Sequence, residues 1–83
     1  MTIPNIISSF YKYLHKKGTF VTLTKNGDLR GCIGHILPVQ EIYLDIIDNA
    51  KTAAFGDPRF LPLAKEELDT IKIEISILDV PKP

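Results

Sequence analysis

The chain is short, electrically balanced and of ordinary composition. It has 83 residues, of which 45% are hydrophobic and 24% are charged, and its 10 Lys and Arg residues balance 10 Asp and Glu residues. This length supports one small core and excludes a two-domain enzyme with a cleft between its domains. The zero net charge argues against a strong, non-specific nucleic-acid binder. Because Cys32 is the single cysteine, an internal disulfide is also excluded.

Targeting and cofactor signals are missing from the sequence. No apolar run is long enough to predict a membrane span, and no signal-peptide pattern opens the chain. We therefore expect a cytoplasmic location. Neither a metal-ligand spacing nor a phosphate-loop pattern is present, so the sequence predicts no metal site and no cofactor.

The hydrophobic pattern predicts a helix, a β-hairpin, a second helix, a short helix and a strand, in that order. The predicted ranges are 3–17 for the first amphipathic helix, 19–25 and 28–33 for the hairpin strands, 39–55 for the second amphipathic helix, 65–69 for the short helix and 71–78 for the last strand. Residues 80–83 are expected to form an extended tail. The predicted fold is α+β, a small antiparallel sheet with amphipathic helices packed on one face.

Alternation along the strands places a set of polar side chains on one face of the predicted sheet, which we call the outer face. The set consists of Arg30, Cys32, Glu74 and Ser76. These side chains lie opposite the apolar faces, all of which we expect to pack on the helices. They are neighbours if the last strand pairs with the second hairpin strand, and the sequence leaves that pairing open.

Cys32 is the candidate nucleophile or redox centre. Arg30, two residues away on the same face, would favour the thiolate. Glu74 would act as an acid, a base or an orienting group, and His35 beyond the strand is a further candidate base. The alternative is a small buried core residue, which is the commoner role of a free cysteine.

Three further features around this strand each admit two interpretations. Arg30 is a candidate anion-binding residue, and the alternative is a cross-strand ion pair with Glu74 or a simple surface charge. Gly31 and Gly34 indicate a β-bulge, or a place where another backbone or a ligand comes close. Asp57 and Arg59 are a candidate polar pair, although a structural turn is the simpler interpretation.

A hexapeptide and two later motifs carry a resemblance to a known family. The motifs are Leu29-Arg30-Gly31-Cys32-Ile33-Gly34, Asp57-Pro58-Arg59-Phe60 and Glu74-x-Ser76. The chain resembles the AMMECR domain family, also labelled AmmeMemoRadiSam system protein A, over residues 18–78. The family domain is usually about twice as long, a common domain size. We therefore expect a single domain over residues 1–83 that lacks the C-terminal half usual in the family.

The resemblance implies partners but no reaction, and it decides neither for nor against an enzyme. Family members accompany Memo-like and radical SAM proteins, so we expect a partner subunit. A thiol-dependent catalytic or modifying domain that uses Cys32 is the alternative, and an RNA-associated module is the second alternative. Without the half that is missing, we expect the outer face of the sheet to be bare, which favours a homo-oligomer. Besides Cys32, Arg30 and Glu74, the candidate motif and binding residues are Leu29, Gly31, Ile33, Gly34, His35, Asp57, Arg59 and Ser76.

Overall fold

The computed structural model describes residues 14–79. The elements are strand β1 (Thr19–Lys25), strand β2 (Asp28–His35), helix α1 (Ile42–Phe55), a 3-10 helix (Lys65–Thr70) and strand β3 (Ile71–Ile77). The strands form one antiparallel sheet, and α1 packs against it. The predicted α+β class is therefore confirmed.

The hairpin of β1 and β2 contains the tight turn that its sequence predicts. Asn26 and Gly27 have φ angles of 51° and 84°. Positive φ at both central residues is the geometry of a type I′ turn, which suits the twist of the two strands. The register shifts after Leu23, which pairs with Gly31, so that Arg30 is the extra residue of a β-bulge.

The central strand of the sheet is β1, and the order is β2-β1-β3. The last strand therefore pairs with the first hairpin strand and not with the second. As a result, the polar residues of the outer face are not direct neighbours. One strand separates Arg30 and Cys32 on β2 from Glu74 and Ser76 on β3.

Helix α1 covers the inner face of β1 and β2. The buried core between them consists of Val21, Leu23 and Ala53. A Cβ atom at Gly31 would overlap the carbonyl oxygen of Ala53, so the absence of a side chain lets the helix backbone approach the strand. Gly34 is covered in the same way by the ring of Phe20. The close approaches expected at these glycines are made by the protein itself.

Within residues 14–79, no helix packs on the apolar face of β3. The expectation that helices cover every apolar face stays a prediction, because residues 3–13 of the predicted first helix lie outside the described residues. Ile73, Ile75 and Ile77 pair with β1 on the inner side of the sheet. Their exposures are 62%, 50% and 41%. Because α1 packs on β1 and β2, these isoleucines lie beyond its edge.

The predicted first helix is wrong at its C-terminal end. Residues 15–17 are not helical, and Lys16 forms an isolated antiparallel bridge with Glu41. The amide of Ile42 donates to the carbonyl oxygen of His15 at 2.8 Å, which ties this segment to the start of α1. Residues 3–13 of the predicted helix, and the predicted tail over 80–83, lie outside the described residues.

The remaining predicted boundaries differ by a few residues. Helix α1 begins at Ile42 instead of residue 39, because Glu41 still has an extended backbone with ψ of 144°. Strand β2 continues to His35, two residues further than predicted, and β3 ends one residue earlier, at Ile77. Between residues 14 and 79, no helix has the length and apolar character needed to cross a membrane.

Candidate functional site

Cys32 lies in the middle of β2 on the outer face, and its side chain is partly exposed. Its Sγ atom is 3.3 Å from Oγ1 of Thr22 on β1. Thr22 pairs in turn with Glu74 on β3, so the three residues form a row across the sheet. Two inter-strand spacings, about 10 Å, separate the backbones of Cys32 and Glu74. The neighbour of the thiol in this row is therefore a hydroxyl group and not the Glu74 carboxylate.

Two side chains from the loop after α1 close the outer edge of β2 at Cys32. The Cys32 amide donates to Oδ2 of Asp57 at 3.1 Å, and Nη2 of Arg59 donates to the Cys32 carbonyl oxygen at 3.2 Å. Arg59 Nη2 also donates to Asp57 Oδ2 at 2.8 Å. We call this ion pair the β2 clamp. It occupies the two backbone groups of Cys32 that a neighbouring strand would use.

Arg59 supplies the positive charge at the clamp. Its hydrogen bonds hold the pKa of Asp57 well below the ordinary value, and the amide of Cys32 assists. Asp57 in turn raises the pKa of Arg59, with a smaller contribution from Cys32. The guanidinium group beside the Cys32 backbone therefore belongs to Arg59, a residue that the sequence interpretation assigned to a turn.

Arg30, the bulge residue, is engaged by Glu67 on the 3-10 helix. Its Nε and Nη2 atoms donate to the two carboxylate oxygens of Glu67 at 3.1 and 3.0 Å. Lys25 Nζ and the Ala64 amide donate to the same carboxylate at 3.1 and 2.8 Å. Arg30 first, then Ala64 and Lys25, lower the pKa of Glu67 to about 2. The anion that Arg30 binds in this structure is therefore Glu67, which the sequence interpretation did not single out.

The ring of Phe60 lies close to both Arg30 and Arg59 and thereby links their two ion pairs. The guanidinium carbon of Arg30 is 6.0 Å from the centroid of the Phe60 ring, and that of Arg59 is 5.4 Å from it. Both distances are within the range of cation–π attraction. The motifs at 29–34 and 57–60, which are distant in the sequence, therefore pack directly on each other.

His35 lies on the face of the sheet opposite to Cys32. It pairs with Thr19, whose side chain is buried beneath α1. Nδ1 of His35 is 2.7 Å from Oδ1 of Asp45, a fully buried carboxylate. This placement separates His35 from the thiol and makes it the partner of Asp45.

Asp45 is the centre of a buried polar cluster that the sequence interpretation did not identify. Its carboxylate accepts hydrogen bonds from Thr19 at 2.6 Å, Asn49 at 3.1 Å and Gln40 at 3.2 Å. Burial raises the pKa of Asp45, but the hydrogen bonds from Thr19, Gln40 and His35 outweigh burial, and the net shift is downward. The spacing of Asp45 and Asn49, one helical turn apart, was the available signal.

A groove of about 300 Å³ lies between α1 and the start of β3. It is bounded by the C-terminal half of α1, the segment before β3 and the first residues of β3. The lining residues are Leu23, Ala50, Lys51, Ala54, Phe55, Leu63, Leu68, Ile71 and Ile73. All but Lys51 are apolar. We call this feature the apolar groove, and the exposed isoleucines of β3 continue it along the sheet.

Comparisons with known proteins identify the family. The AMMECR1 family model matches residues 3–83. A curated protein of Methanothermobacter thermautotrophicus is 49% identical over 71 residues, which make up 86% of this chain and 37% of that protein. A curated protein of Clostridium acetobutylicum is 46% identical over 81 residues, which make up 96% of this chain and 17% of that protein. The chain belongs to the AMMECR1 family, as the motif resemblance predicted.

A solved structure agrees with the fold. The crystal structure of an uncharacterized protein, PH0010 from Pyrococcus horikoshii, is similar with a TM-score of 0.79 and 33% sequence identity. The similarity covers 93% of this chain and 39% of that chain. The present chain therefore spans less than half the length of each of these relatives.

Proposed function

We propose that the chain is a non-catalytic partner subunit that docks a Memo-like or radical SAM protein through the apolar groove. The observation that carries this proposal is the groove itself, an almost wholly apolar surface on a small, charge-balanced domain. A contiguous exposed apolar surface that polar residues surround is typical of a site of protein association. The family resemblance supplies the two classes of partner to test.

Several of the polar candidate residues are held by hydrogen bonds and ion pairs within the domain, which also supports a non-catalytic role. Asp57 and Arg59 bond to each other and to the Cys32 backbone. Arg30 is held by Glu67, and His35 is held by Asp45. Each of these side chains has a structural partner within the domain, which accounts for its position without a substrate.

Calorimetric titration with the Memo-like and radical SAM proteins of the same genome tests the proposal. Phe55→Asp and Leu68→Asp place a charge in the groove at positions that are 61% and 56% exposed. We expect each to weaken binding at least about tenfold, because a desolvated charge opposes an apolar contact. Leu61→Asp is the control, since Leu61 is 82% exposed and lies outside the groove. Equal weakening by the control, or no binding by the unmodified chain, would contradict the proposal.

A thiol-dependent domain is the second candidate function. It is supported by the partial exposure of Cys32 and by the Arg59 guanidinium group, which donates to the Cys32 carbonyl oxygen. The thiolate is the reactive form of cysteine, and its accessibility and nearby charges decide how fast it reacts. Alkylation kinetics distinguish this function from simple docking, because docking requires no reactive thiol.

A further inference from the structure

We propose that two copies of this chain pair through the outer edge of β3, so that their sheets join in antiparallel fashion across a two-fold axis at Ile73. The occupant of this edge is a second copy of the same chain. The inference goes beyond the docking function, because it concerns the backbone edge of β3 and not the groove beside it.

The two edges of the sheet differ in the hydrogen bonding of their outward backbone groups. The edge of β2 is closed at Cys32 by the clamp of Asp57 and Arg59. In contrast, no hydrogen bond from within residues 14–79 reaches the outer edge of β3, which is seven residues long. An unpaired strand of this length, with exposed isoleucines, is a template for another strand. Among residues 14–79, the edge of β3 is therefore the one whose backbone groups are left to accept a strand.

The charges on β3 select the register of the pairing. Lys72 and Glu74 are both exposed and lie on the outer face, and neither has an ion-pair partner in the described part of the chain. With the axis at Ile73, Lys72 of each copy lies opposite Glu74 of the other, which gives two equivalent ion pairs. An axis at Lys72 or Glu74 would instead place identical charges opposite each other.

The same register aligns the apolar side chains. Ile73 lies opposite its own copy, and Ile71 of each chain lies opposite Ile75 of the other. These side chains occupy the inner side of the sheet, where Ile73 and Ile75 are at least half exposed in the single copy. Pairing removes part of this apolar surface from water, and the isoleucine contacts and the ion pairs act together.

Sedimentation equilibrium of the full chain tests the proposal without any other protein. We expect the unmodified chain to be a dimer. Lys72→Glu and Glu74→Lys should each weaken self-association at least about tenfold, since like charges then face each other twice. An equimolar mixture of the two variants should regain the dimer, because every contact between positions 72 and 74 then joins an acid and a base.

A charge change outside β3 serves as the control. Glu66→Lys makes the same charge change as Glu74→Lys but on the 3-10 helix, outside β3, and should leave the dimer unchanged. A monomeric unmodified chain, or a mixture of the variants that stays monomeric, overturns the proposal. So does an equal effect of the control. Urea unfolding of each variant separates lost pairing from lost folding.

Discussion

Arg30 donates two hydrogen bonds to Glu67, at 3.1 and 3.0 Å, and thereby fixes the bulge of β2 to the 3-10 helix. The paired arrangement of guanidinium and carboxylate is the geometry in which such bonds are strongest. Because the pair links elements that are separated in the sequence, its protonation state affects the stability of the whole domain.

The lowered pKa of Glu67 predicts a stability change in acid. The folded-state pKa is about 2, below the ordinary value of 4.5. The contribution of Glu67 is therefore complete above pH 4.5 and is lost as the pH falls through about 2. We expect Glu67→Gln to lower the free energy of unfolding at pH 7 and to flatten its decrease between these pH values. Urea unfolding at several pH values measures this, with Glu66→Gln as the control; parallel profiles for Glu67→Gln and the unmodified chain would show the prediction to be wrong.

Gly31 predicts a steric effect at the contact between β2 and α1. In Gly31→Ala the new methyl group would overlap the carbonyl oxygen of Ala53, a backbone atom that moves only with the helix. We expect a loss of about 1–3 kcal/mol in the free energy of unfolding, as for an overpacked core. Chemical denaturation measures the loss. Ser76→Ala, at an exposed position on β3, serves as the control and should change stability by less than about 0.5 kcal/mol.

Replacing the buried Asp45 is expected to cause a large loss of stability, although Asp is a polar residue. Asp45→Ala removes the acceptor for the Thr19 hydroxyl and for Asn49 within the core. The Asn49 amide still donates to Thr19, but the buried Thr19 hydroxyl is left without an acceptor, which costs about 1–3 kcal/mol. Asp45→Asn retains one acceptor oxygen and should lose less stability. Thermal and urea unfolding of both variants measure the difference, with exposed Asp48→Ala as the comparison. A loss from Asp48→Ala that matches the loss from Asp45→Ala would contradict the proposed role of the cluster.

The thiol candidate predicts that Arg59, rather than Arg30, controls the reactivity of Cys32. We expect Arg59→Gln to slow alkylation of the folded chain several-fold, because the positive charge beside Cys32 is lost. Arg59→Lys keeps the charge and should retain most of the rate. Arg30→Gln should have little effect, since the Arg30 guanidinium group donates to Glu67 and to the Pro62 carbonyl oxygen and not to Cys32. Rates measured with a small alkylating reagent decide this; if the thiol reacts only after unfolding, Cys32 is a core residue.

The parts of the fold that depend on local interactions were predictable from the sequence. Asn26 and Gly27 specify their turn directly, because both residues accept positive φ. The alternating isoleucines of β3 likewise identify a strand without reference to its neighbours. The order of the strands was not predictable, because the pairing of β3 with β1 depends on contacts between segments distant in the chain.

The candidate site was predictable only in part. The sequence identified Cys32, Asp57 and Arg59, but the clamp exists because the loop after α1 reaches the edge of β2. Asp45 was missed because a hydrophobicity pattern assigns carboxylates to solvent, whereas this one is buried with its hydrogen-bond donors. The partner of Arg30 is 37 residues away in the sequence, and no periodicity relates them.

The clamp at Cys32 has a consequence for the size of any assembly built from this domain. Sheets grow into fibres edge to edge, which requires two free edges on every unit. The Asp57–Arg59 pair holds the backbone groups of Cys32 at one of these edges. A unit with a single open edge ends a row of strands instead of continuing it. At Cys32 the clamp therefore opposes the addition of a further strand, which favours closed, finite complexes over growing rows of strands.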